Sequence, residues 1–154
     1  MLKFFVFMAL VIVITGCSSG HHGVFLRPDF VPKPQAKVEV RNVVNKTEEM
    51  EVNVSKLFKD ELRDTLADED LLWVEGRDDV KLVIDVNIMK YNKRWGVTQL
   101  VVYCNIIDPA TNKKVGFINV QEVEGGLLTG WKKVFKQAAR QVVESLRQKM
   151  EYQN

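Results

Sequence analysis

Cysteine, histidine and proline are scarce in this chain of 154 residues, with two, two and four copies respectively. Cys17 and Cys104 stand far apart. If Cys17 is consumed by modification, Cys104 is left without a partner, so no intrachain disulfide framework exists. The only histidines, His21 and His22, are adjacent, with no cysteine or carboxylate at zinc-site spacing beside them, which argues against a metal centre. A strong charge of one sign is also lacking. Lysine and arginine number 22 against 20 acidic side chains, so no long-range field draws the chain to nucleic acid. There is no Gly-x-Ser-x-Gly, no Cys-x-x-Cys, no His-Glu-x-x-His and no phosphate-binding glycine loop, and the sequence is therefore read as that of a non-enzyme without cofactor or metal. Nor is there an apolar run long enough to span a bilayer: the longest, Phe4 to Ile14, is roughly half of the ~20 residues a transmembrane helix needs.

What is present begins with that short run. Lys3, the apolar centre and small residues before a cut site describe a secretory signal over residues 1–16. Ile14-Thr15-Gly16-Cys17 resembles the lipobox of bacterial lipoproteins, with Ile14 in place of the commoner leucine. The resemblance implies that Cys17 carries a diacylglycerol on its sulfur and becomes the acylated mature amino terminus. Two or more chains, at ~0.8 kcal/mol per buried methylene, make such attachment durable. By the same resemblance Ser18, in the position where aspartate favours inner-membrane retention, points to the outer membrane facing the periplasm. Removal of the signal takes Lys3 and no acid, leaving the mature chain almost neutral.

Residues 17–35 hold three of the four prolines, Pro28, Pro32 and Pro34, and are expected to form a lipidated tether. Phe25, Leu26, Phe30 and Val31 are too apolar for a purely solvated linker and are expected to dock on the domain's own surface, the alternative being a short segment that engages a partner. A single domain is expected over 36–150, with 151–154 as a tail. Its first strand is marked by Val38 and Val40. Val54, Phe58, Leu62 and Thr65 then fall at helical spacing behind Asn53 or Ser55 as cap, with an acidic outer side. Leu71 to Glu75 reads as a short approach strand. Val80, Leu82, Ile84, Val86 and Ile88 alternate with more polar residues, as do Leu100, Val102, Cys104 and Ile106 after the polar turn at 90–96. Cys104, inside that alternation, is expected to be a small buried hydrophobe. Asp108 to Lys113 forms a hairpin in which Asn112 tolerates a left-handed backbone. Lys114 to Val123 returns, with Ile118 and Val120 on one parity. Thr129 is a candidate cap for a last helix in which Trp131, Val134, Phe135, Ala138, Val142 and Leu146 make one apolar stripe. Lys132, Lys133, Lys136, Arg140 and Arg147 lie opposite, as a solvated back face able to complement the acidic first helix.

These elements predict an α+β, two-layer sandwich: a mainly antiparallel sheet of about four strands in the order strand-helix-strand-strand-strand-helix, with two helices on one face. That order behind a lipobox, with Val102 to Val115 similar to a recurrent strand-Asp-x-x-Thr-Gly-Lys-strand hairpin, resembles small bacterial outer-membrane lipoproteins. Examples are the partner lipoprotein of the lipopolysaccharide translocon, the curli-secretion lipoprotein and uncharacterised lipoprotein domain families. Asn112 replaces their usual glycine. The resemblance implies an accessory role: a domain held to the membrane by acyl chains on Cys17 that binds a protein partner in envelope assembly or transport. A carrier of lipid or glycan is the alternative. Tyr91, Arg94 and Trp95, in the polar turn, form the candidate partner-binding patch. Oligomeric state is not legible.

Overall fold

The computed structural model describes residues 18–33, 35–48, 53–76, 81–125 and 132–151. The signal segment, Cys17, Pro34, Thr129, Trp131 and most of the tail lie outside the described residues.

Seven elements follow one another: β1 (Ser18–Leu26), β2 (Lys37–Asn45), α1 (Val54–Asp68), β3 (Lys81–Arg94), β4 (Val97–Asp108), β5 (Lys113–Gly125) and α2 (Lys133–Glu151). The strands form one mixed sheet in the order β1-β5-β4-β3-β2. β3, β4 and β5 are the expected meander, and β2 is joined to β3 in parallel through α1, because parallel neighbours need a crossover.

The sheet has five strands rather than about four, and the additional one corrects the tether. From Ser18 the chain pairs antiparallel with β5, Ser18 opposite Glu124 and Leu26 opposite Gly116. No proline occurs before Pro28, so every amide up to there can join a ladder. Val24 and Leu26 pack on the core, whereas Phe25 points to the other face. Phe30 also packs on the core, as expected, but Val31 is exposed. The expected strand at Leu71 to Glu75 is reduced to one parallel bridge, Leu72 to Val38.

α1 starts where Asn53 accepts a bond from the Lys56 amide, 3.0 Å, and buries Val54, Phe58, Leu62 and Leu66. It ends in the acidic run, with Asp70 in a left-handed conformation at φ 52°. α2 buries Val134, Phe135, Ala138, Val142 and Leu146, as its stripe predicts. Both helices lie on the same face, α1 over β2 and β3, α2 over β5, β4 and β1, and pack on each other. Their apolar stripes and the inward residues of the strands close one core. Among the described residues, no helix is long and apolar enough to cross a membrane.

Candidate functional site

The helices cover one face of the sheet, and among the described residues no helix packs on the other. Parity along β1, β4 and β5 puts Phe25, Tyr103 and Phe117 there. Phe25 and Phe117 are directly opposite in the ladder and stack at 5.7 Å, and Tyr103 stacks on Phe117 at 5.2 Å. Lys114 lies 4.9 Å from the Tyr103 ring and donates to its hydroxyl at 3.0 Å. Amide side chains surround this row: Asn105 is paired with Phe117, Asn119 with Tyr103, and Gln121 with Val101. Phe25 is 49% exposed. Over β1, β5 and β4 this face is thus an aromatic strip edged by hydrogen-bonding amides and one lysine.

Beside it, on β2 and β3, Arg41 clamps Asp85 through Nε at 3.0 Å and Nη2 at 2.5 Å, and also donates to Asn112 at 2.9 Å. That hydrogen bonding holds the Asp85 carboxyl below its usual range. Asp85 is outward-facing, in agreement with its alternation, and its role is to tie β2 to β3. The left-handed φ of 52° at Asn112 matches the sequence expectation for the hairpin.

The three residues of the candidate patch do not form one surface. Trp95 is 99% exposed and Arg94 is exposed beside it, but Tyr91 is buried against Phe135, ring centroids 5.5 Å apart. The cause is a bulge between Ile88 and Lys90, which inserts one residue and flips the parity of the strand, so that Tyr91 faces the helices across from Leu100.

His21 and His22, as neighbours on β1, point to opposite faces, so they do not converge on one ion. Among the described residues no three histidine, cysteine, aspartate or glutamate side chains gather at metal-binding distance. Cys104 is fully buried, and burial pushes its thiol up to about 12.

Sequence reasoning missed a buried acidic pair. Glu122 and Glu124 continue the inward parity of Ile118 and Val120 into the helix-covered face and are 1% and 2% exposed. Glu124 is held by Lys133 of α2 at 3.2 Å. Among the described residues, Glu122 Oε1 and the neighbouring Gln141 Oε1 are buried with no hydrogen-bond partner, and desolvation, with the Glu124 charge second, raises the Glu122 carboxyl to about 7. The signal was available, since counting by two from Ile118 reaches both glutamates.

Between α1 and α2 a groove of about 430 Å³ is lined by charges of both signs, Asp68, Glu69 and Glu144 against Lys136, Arg140 and Arg147. Arg147 bonds Glu69 at 3.3 Å, the cross-helix complementarity expected from sequence.

No protein-family model matches the chain, and no curated protein matches it. Solved structures do share its fold. The PelC dodecamer from Paraburkholderia phytofirmans superposes with a TM-score of 0.60 at 17% identity over 84% of this chain and 98% of that one. The hypothetical protein CT253 from Chlamydia trachomatis gives 0.58 at 12% identity, over 75% and 98%. At such identities the likeness is one of fold.

Proposed function

We propose that the chain is a lipid-anchored accessory protein of the bacterial cell envelope, attached through Cys17 to the outer membrane and facing the periplasm, which binds a protein partner and carries out no chemistry. The observation that carries this reading is the uncovered sheet face. A two-layer fold that leaves Phe25, Phe117 and Tyr103 stacked in contact with solvent has a ready-made apolar centre with a polar rim, the anatomy of a docking surface. Among the described residues, β1 is an edge strand of the sheet, able to accept a further strand. The PelC chain of the same fold is a dodecamer, so further copies of this chain are the first partner to test.

A photo-crosslinking amino acid in place of Phe25, in cells of the native host, tests the reading. It is expected to give a discrete adduct with a protein, a second copy included. No adduct, with the extracted chain running as a free monomer, contradicts it.

The amides edging the aromatic strip favour a second reading, a carrier of glycan. Rings stack on sugar faces, and Asn105, Asn119 and Gln121 each offer a donor and an acceptor to hydroxyls. Protection of Tyr103 and Phe117 resonances by an oligosaccharide, without protein adducts, would select it.

A further inference from the structure

The β3–β4 hairpin turns through Trp95 and Gly96, at φ 51° and 75°. Two successive positive φ values define the tight turn in which asparagine, aspartate or glycine is preferred at the first position. A bulky aromatic there is an outlier, because its Cβ crowds the backbone. Trp95 is also 99% exposed, so the fold gains nothing from the indole in return.

Register fixes where this tip lies. Ser18 is opposite Glu124, Glu124 opposite Thr98, and Thr98 opposite Lys93, a row running across four strands. At about 4.8 Å per strand, Ser18 and Lys93 are about 14 Å apart, and Trp95 projects about 7 Å beyond the row. The chain outside the described residues joins at Ser18, and Cys17 is the next residue back toward the amino terminus. The hairpin tip and the attachment point of the amino-terminal segment are therefore at the same end of the sheet. The exposed charges of the hairpin and of the start of α2 are all basic: Lys90, Lys93, Arg94, Lys132 and Lys133. The acids of this end of β5, Glu122 and Glu124, are buried. Among the described residues, Glu48 is the acid on the β3 side of this end: it follows β2, which pairs with β3 as far as Asn45 opposite Ile88.

The geometry points to the Trp95 hairpin as a second membrane contact, an indole seated in the interface of the bilayer to which Cys17 is tethered, with Lys90, Lys93 and Arg94 on anionic headgroups. This rests on the reading of Cys17 as the lipid anchor. An indole has an apolar body and one N–H donor, the combination that partitions to the headgroup level, and basic side chains add attraction to anionic lipid. With acyl chains on one side of the sheet end and an indole about three strands away, the domain is held by two points and cannot swivel freely about the first. Trp95 therefore belongs to the membrane-facing end and not to the protein-binding surface expected from sequence.

The test uses full-length protein extracted from membranes and reconstituted into vesicles of phosphatidylethanolamine and phosphatidylglycerol, with and without lipid brominated on its acyl chains. The difference in emission between wild type and Trp95→Phe isolates Trp95. Its emission is expected to be blue-shifted and quenched about two-fold or more by the brominated lipid. Exchange of Lys90, Lys93 and Arg94 for glutamine is expected to weaken that quenching. A Trp95 contribution that stays at the wavelength of a hydrated indole and is not quenched overturns the proposal, and so does a photo-crosslinker at position 95 that captures a protein while quenching is absent. Intact mass keeps the two readings apart: a chain without acyl groups refutes the anchor, whereas an acylated chain with a hydrated Trp95 refutes only the second contact.

Discussion

Gly20 on β1 lies directly across from Glu122 on β5, and a methyl group at Gly20 would overlap both the Glu122 carboxyl oxygen and the Gln141 side-chain nitrogen. The first strand is thus fitted over a buried acid and is not loosely laid on the edge of the sheet.

The glycines of β1 and β5 should separate cleanly on substitution. At Gly116 an added Cβ would be 2.5 Å from the Phe25 carbonyl oxygen, which is backbone and cannot step aside. Gly116→Ala is expected to cost about 1 to 3 kcal/mol, as overpacking does. Gly20→Ala should cost less, since it meets the ends of side chains. Gly23, with nothing within 4 Å, should tolerate alanine or gain slightly from reduced entropy of the unfolded chain. Urea unfolding of the three variants checks the order, and amide exchange of Val24 to Leu26 should rise only in Gly116→Ala.

Stability should fall as pH rises through neutrality. Glu122 titrates in the folded chain at about 7, against an ordinary value of 4.5, so between these limits the folded state holds a proton that the unfolded state has released. The stabilisation from that proton is complete below about pH 4.5 and lost above about 7, a difference on the order of 3 kcal/mol. Glu122→Gln, which cannot ionise, is expected to flatten this part of the profile and to exceed wild type in stability at pH 8. Chemical denaturation at pH 5, 6, 7 and 8 measures both.

Trp95→Asn places an Asn-Gly pair in the turn that prefers it, and should stabilise the fold by about 1 kcal/mol while removing the exposed indole. The expected result is a Tm raised by a few degrees together with weaker membrane contact. A lowered Tm would mean that the ring supports the fold.

Cys104 should resist thiol reagents in the native state and react only with unfolding, because its thiol is fully buried and pushed up to about 12. Labelling kinetics across a urea series follow this directly.

The layers, both helices and the meander were legible because long alternations and helical stripes carry them. Val80 to Ile88 and Leu100 to Ile106 could be read only one way. Three features were hidden for physical reasons. β1 has a weak alternation of its own, since its inward positions include Gly20 and His22 and its stability comes from pairing with β5, a strand about a hundred residues away in sequence. The bulge at Met89 has no marker such as glycine, so the parity of Tyr91 could not be taken from the residues before it. The inward glutamates of β5 contradict the usual rule that acids face water, and only neighbours on α2 and β1 explain their place. Trp95 was legible as exposed. Its position relative to Ser18 required the register of four strands.

The claim on which the functional reading turns is that this domain is held at a membrane by its own amino terminus, and intact mass spectrometry of the protein extracted from its native host tests it most directly. The expected mass is that of a chain beginning at Cys17 with a diacylglycerol and a further acyl group. A chain that retains residues 1–16, or one cut elsewhere and free of fatty acid, would contradict it.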